Sequence, residues 1–207
     1  MTLRLNGSTS GYAEIDAPAV AGSNTLLLPA SNGSAYQFLR NGATAGTTEF
    51  AAAITSGTAV ASTSGTSIDF TSIPSYVKRI TVMLSGVSTN GTSVPLIQLG
   101  DSGGIETTGY LGCASINTSI TLTAAYTTGF LISQQTNSSD VQFGHIILTN
   151  VNSNTWVASV NCARDDSATS HGAGNKTLSG TLDRVRITTV NGTATFDAGS
   201  INILYEG

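Results

Sequence analysis

The sequence predicts an all-β protein: an extended N-terminal arm followed by a C-terminal head built as an antiparallel β-sandwich, jelly-roll-like in pattern. Three observations predict it. Short runs of β-branched and aromatic residues alternate with polar ones at a period of two. Gly, Asn, Ser and Pro punctuate these runs at close intervals. No window of a dozen residues combines helical apolar spacing with helix-forming filler, and Gly, Ser and Thr recur too often for a helix to persist.

The elements follow in chain order. Residues 1–57 hold only short apolar pieces: Leu3 and Leu5, Ile15, Val20, Leu26 to Leu28, and Phe38 with Leu39, interrupted by Pro18 and Pro29. So little apolar surface cannot close a core unaided, so this segment is expected to wind against copies of itself or dock on another protein. The small-residue run Phe50 to Val60 reads as the link to the head, with a short helix at 50–54 as one option. Within residues 58–207, Ile80, Val82 and Leu84 alternate with Arg79, Thr81 and Met83. Gly103-Gly104 marks a loop, and Phe130 to Ile132 a short strand. Val141 to Leu148 and Thr155 to Val160 are further strands. Val185 and Ile187 open a run to Val190, which Asn191-Gly192 is expected to fold back onto Thr193 to Phe196 as a hairpin. Ile201, Ile203 and Tyr205 alternate in the last strand. The same Asn-Gly signal stands at Asn6, Asn32, Asn41 and Asn90. Residues 77–82 and 183–190 look alike, either as equivalent strands of two sheets or by chance.

Composition narrows the function. Only 10% of residues are charged, against about a quarter in ordinary globular domains. Ser and Thr, more than a quarter of the chain, supply the polar surface instead. Such a surface carries few ions to desolvate, which favours burial against another subunit. The net charge is −4 and the eight basic residues are scattered, so nucleic acid is not an expected partner. Three stretches lack charge, Ala17 to Leu39, Phe50 to Ile68 and Thr107 to Ser139, but all are too polar to span a membrane. No secretory signal is evident at the N-terminus, so synthesis in a cytoplasm is expected.

No cluster suggests catalysis, and no catalytic residue, cofactor or metal is expected. His145 lies in a β-run and His171 in the polar segment 167–176, neither with a second histidine at zinc spacing. Asp165-Asp166 is the only adjacent acidic pair and reads as a solvated loop, with a calcium site as the sharper alternative. Gly100 to Gly104 matches the Gly-Asp-Ser-Gly-Gly string of trypsin-like proteases, but no histidine precedes Ser102, so a Gly-rich hairpin loop is expected. Cys113 and Cys162 have no metal-binding spacing and read as two small buried side chains. Trp156 is either a core anchor or a carbohydrate platform. Tyr110, Tyr126 and Phe130 border the uncharged span 107–139, which makes that span the expected recognition surface; no individual receptor-binding residue is assigned.

Several strings carry a resemblance. LRLNGSTSGY at 3–12 and APAVAGSNTLLLP at 17–29 resemble segments of tail-fibre and other structural proteins of bacteriophages, notably those of cyanobacteria and marine bacteria. SGTSIDFTSIPSYVKRITV at 64–82, IQLGDSGGIETTGY at 97–110, LDRVRITTVNGT at 182–193 and FDAGSINILYE at 196–206 are similar to a C-terminal domain of phage and prophage fibres. The resemblance implies a homotrimeric virion fibre. Its N-terminal part would attach to another virion protein of the baseplate, tail or capsid, and its distal knob would meet a host surface glycan or protein. A capsid decoration or head fibre that stabilises the shell is the alternative, and a glycan depolymerase a further one. Residues 113–139 and 161–175 depart from the pattern.

Overall fold

The computed structural model describes residues 3–16, 18–19, 22–42, 44–117, 121–134 and 137–207, with the backbone alone at 121–124. Val20 and parts of the 107–139 span, named above, lie outside these residues. The chain divides into two units, Met1–Ala53 and Ile54–Gly207. Among the described residues every regular element is a strand and every sheet is antiparallel; no helix is long and apolar enough to cross a membrane.

The first unit holds two small ladders. β1 (Leu3–Asn6) pairs with β2 (Tyr12–Ile15), and β3 (Phe38–Asn41) with β4 (Thr48–Ala51). A bridge joins Leu27 to Thr47. The helix considered at 50–54 is not formed: Phe50 and Ala51 sit in β4, opposite Leu39 and Phe38. Short strands with apolar–polar alternation gain more from cross-strand pairs than one isolated helical turn would from its single hydrogen bond.

The second unit begins earlier than residue 58. β5 (Ile54–Ser56) and β6 (Val60–Ala61) both pair with the final strand, β18 (Phe196–Glu206). Between them run β7 (Ser67–Phe70), β8 (Arg79–Thr89), β9 (Pro95–Asp101), β10 (Gly104–Ile105), β11 (Tyr110–Asn117), β12 (Thr121–Ala125), β13 (Phe130–Leu131), β14 (Gln142–Asn152), β15 (Thr155–Arg164), β16 (Thr169–Thr177) and β17 (Arg184–Thr189). A nine-stranded sheet takes the order β12-β11-β16-β15-β14-β8-β18-β5, with β6 also on β18. A five-stranded sheet runs β10-β9-β17-β7, with β13 also on β9.

The period-two runs decide which face is buried. Ile80, Val82 and Leu84 of β8, Ile146 and Leu148 of β14, and Ile201 and Ile203 of β18 all point into one cluster. Ile68 and Phe70 of β7, Ile97 and Leu99 of β9, and Val185 and Ile187 of β17 join the same cluster from the smaller sheet. Each such side chain contributes about 1.5–3 kcal/mol by leaving water. Trp156 is buried here as a core anchor. Residues 77–82 and 183–190 do feed strands of two different sheets, β8 and β17.

Two local expectations are corrected. Asn191-Gly192 does not close a hairpin, because β17 and β18 belong to different sheets. The turn there carries the chain across, with the Asn191 carboxamide oxygen accepting from the amides of Thr193 and Ala194. Among the five Asn-Gly pairs only Gly192 has a positive φ; the others sit in longer loops, where no two-residue turn demands it. The segment 167–176 is not a loop. Most of it is β16, whose alternating Ser170 and Lys176 are buried. Gly174 lies between them on a crowded face, where a Cβ would fall 2.8 Å from the Leu111 carbonyl oxygen.

A polar clasp fastens the β9–β10 hairpin to the segment after β16. Lys176 pairs with Glu106 and lies 5.4 Å over the Tyr110 ring. Ser179 donates its hydroxyl to Asp101 at 2.8 Å and its amide to Glu106 at 2.7 Å. Burial pushes the Glu106 carboxyl up, but the hydrogen bonds from Lys176 and Ser179 outweigh it and hold it below its ordinary value. The Ser179 hydroxyl and the Gly103 amide likewise lower Asp101, against a smaller opposing effect of burial. Both carboxyls thus bind protons less readily in the folded chain. Their stabilisation is complete above the unfolded values of about 4 and is lost as pH falls through the lower folded values. Urea midpoints are expected to drop between about pH 5 and pH 3, and Ser179→Ala should flatten that drop. An unchanged slope in the variant would remove the clasp as its source.

Candidate functional site

The residues singled out by sequence do not converge. His145 and His171 are exposed on β14 and β16 with Asn161 between them in register. Gly100 to Gly104 is a tight hairpin: Asp101 pairs with Gly104, and its carboxylate accepts the Gly103 amide at 2.8 Å. Asp165 and Asp166 occupy an exposed turn, but each is engaged. Asp165 accepts the Val141 amide, and Asp166 takes the Arg164 guanidinium. No group of three metal-binding side chains occurs among the described residues.

One expectation is overturned, that of a buried Cys113, and the aromatics of the span 107–139 face inward. Tyr110 and Phe130 are core residues, 1% and 4% exposed and packed edge to face at 5.1 Å, and Tyr126 is partly buried. The Tyr110 hydroxyl is spent on the backbone, accepting from the Leu99 amide at 2.7 Å and donating to the Glu106 carbonyl at 3.0 Å. Alternation along β11 puts Tyr110 and Ala114 inward and Cys113 outward, so Cys113 is exposed while Cys162 is buried. Burial pushes the Cys162 thiol up to about 12, which leaves it inert.

The outward face of the larger sheet holds no Asp, Glu, Lys or Arg over two registered rows. One runs Cys113, Ala173, Ser159, Ile147, Thr81 and Leu204, the next Ser115, His171, Asn161, His145, Met83 and Asn202; the row of Leu111, Asn175, Val157 and Thr149 ends on the ion pair Arg79 and Glu206.

The smaller sheet carries a groove of about 500 Å³ on its outward face. Because Val185 and Ile187 point to the core, Arg186 and Thr188 point away from it. Register then sets Asp69, Arg186 and Gln98 in one row across β7, β17 and β9. Thr66, Thr107, Thr108, Thr128, Thr189 and Asn191 are among the other residues of the walls. Arg186 is clamped by Asp69 through two 2.7 Å bonds from Nε and one terminal nitrogen. These bonds raise the guanidinium above its ordinary pKa and neutralise its charge. The Thr188 hydroxyl donates to the Thr66 carbonyl at 2.8 Å, and that of Thr189 to the Asn191 carboxamide at 2.8 Å. Gln98, 8% exposed, donates its amide nitrogen to the Thr128 carbonyl at 2.9 Å. The Thr128 hydroxyl is buried with no partner among the described residues. The span 107–139 marked in the sequence supplies Thr107, Thr108 and Thr128, but the rest of this groove was not legible there. Its walls come from segments far apart in the chain, and threonines are too common here to signal anything.

Comparisons with protein families, curated proteins and solved structures returned no match.

Proposed function

We propose that the chain is a structural virion protein of a bacteriophage, a homotrimeric tail fibre that attaches to the host surface by adhesion. One observation carries this reading. None of the described residues of the first unit is buried, although Leu3, Leu5, Tyr12, Ile15, Leu26, Leu27 and Leu28 each expose more than half of their surface. An isolated two-stranded ladder is marginal in water, and so many bare apolar side chains call for a partner. Sister copies and a neighbouring virion protein supply one in a fibre. The second unit, read as a sandwich whose two sheets share a core, then forms the distal knob. The sparsely charged outer face of its larger sheet fits self-association, since few ions lose water there. Binding is expected to be weak at each site and strong in sum, because several heads engage one surface together.

Sedimentation of the full chain at micromolar concentration is expected to give a trimer. Replacing Leu26, Leu27 and Leu28 with serine should shift it toward monomer while the second unit keeps its melting temperature. A wild-type monomer under these conditions removes the reading.

A further inference from the structure

We infer that the groove on the five-stranded sheet is a binding site for a neutral oligosaccharide. This deepens the adhesive reading above and rests on it for its biological setting, but it is argued from the groove itself. At about 500 Å³ the groove is open and has the volume of a ligand site.

Its donors and acceptors suit a polyol. Thr188 and Thr189 commit their protons to Thr66 and Asn191, which leaves the oxygens as acceptors for sugar hydroxyls. Gln98 spends one N–H on Thr128 and keeps a second N–H for a ligand. Asp69 engages Nε and one terminal nitrogen of Arg186, so the other terminal nitrogen keeps its donors.

Charge selects the class. Among the described residues Arg186 is the only charged one of the lining, and its charge is cancelled by Asp69. An acidic glycan would find no excess positive charge, whereas a neutral one needs none. Among its described residues the lining also has no aromatic side chain, so affinity comes from hydrogen bonds and is low per site.

Thr128 supplies an independent pointer. An unpaired buried hydroxyl costs about 1–3 kcal/mol, and this one stands in the groove wall. A ligand hydroxyl that reaches it repays that cost on binding.

The test is saturation-transfer NMR on the full chain at millimolar glycan. The probes are hexasaccharides of glucose, mannose, galactose, rhamnose and N-acetylglucosamine, with hexagalacturonate as the acidic arm. At least one neutral probe is expected to receive saturation and the acidic one none. Thr128→Val and Thr188→Val keep the side-chain shape, and each should weaken binding roughly three- to tenfold, the worth of about one hydrogen bond. Thr128→Val should also melt no lower than the wild type, because it removes an unpaired group. Silence from every neutral probe, saturation of the acidic probe alone, or binding unaltered in both variants overturns the inference. The readout is binding rather than assembly, so its failure leaves the trimer measurement standing.

Discussion

Arg164→Ala is expected to destabilise the second unit by about 3–5 kcal/mol, read from urea unfolding. The Arg164 side chain is 2% exposed and pairs at 3.0 Å with Asp140, itself 4% exposed. The guanidinium also donates to the Gln134 carbonyl at 2.6 Å and holds Asp166 in the turn beyond β15. One residue therefore ties the end of β15 to the segment before β14. Alanine strands the Asp140 carboxylate away from water with its principal countercharge gone. Coulomb attraction need not make the intact pair stabilising, since desolvating two ions costs several kcal/mol. What makes the single change severe is the orphaned partner. Arg164→Met with Asp140→Asn should therefore recover most of the loss, because no buried charge remains and the Asn137 amide still finds an oxygen at position 140. A single variant that loses under about 1 kcal/mol, the scale of an exposed pair, would show that Asp140 is not effectively buried.

Arg164 also marks where sequence reading stops. The string from Asn161 to Ser167 looks like a solvated acidic loop, and its turn is one; that its arginine turns inward depends on Asp140, far away in sequence. Strands such as β8, β14 and β18 were legible because one face meets a core and the other does not, which imposes a period of two. β9 was not, because all seven of its residues are buried and alternation vanishes. β16 was hidden by Gly172 and Gly174, which read as loop. The Asn-Gly pairs misled for a related reason: Asn191 acts through its carboxamide and needs no left-handed backbone. For the groove, register sets Gln98 beside Arg186 and the bend before β13 brings Thr128 to Gln98, and none of these carries a local signal. Among the aromatics, Tyr110 and Phe130 bordered an uncharged span, yet their apolar area made the core the stronger claimant.

Gly199→Ala is expected to cost about 3 kcal/mol or more, and to do so by backbone collision rather than by lost conformational freedom. Gly199 sits in β18 where its register with β8 shifts: Ala198 faces Ser88 and Ser200 faces Ser85, so Gly199 alone opposes Gly86 and Val87. Gly86, at φ 69°, is the extra residue of this bulge. At Gly199, φ is 90°, and an added Cβ would lie 2.3 Å from the Gly86 carbonyl oxygen and 2.7 Å from that of Ser85. Both obstacles are backbone in paired strands, so neither yields cheaply. Gly192→Ala separates the two costs. Its φ of 66° imposes the same kind of strain, but nothing lies within 4 Å of the new Cβ, so only about 1–2 kcal/mol should be lost. Equal losses in the two variants would mean that the close approach of β8 and β18 is not maintained in solution. The bulge also reaches the groove. Beyond it β8 leads into Asn90, which exchanges hydrogen bonds with Thr195, while Ser93 accepts the Asn191 amide. That clasp holds the turn carrying Asn191 and Gly192, one wall of the groove. A partly folded Gly199→Ala protein should therefore lose glycan contact at temperatures where Ile146 and Leu148, deeper in the larger sheet, still protect their amides from exchange.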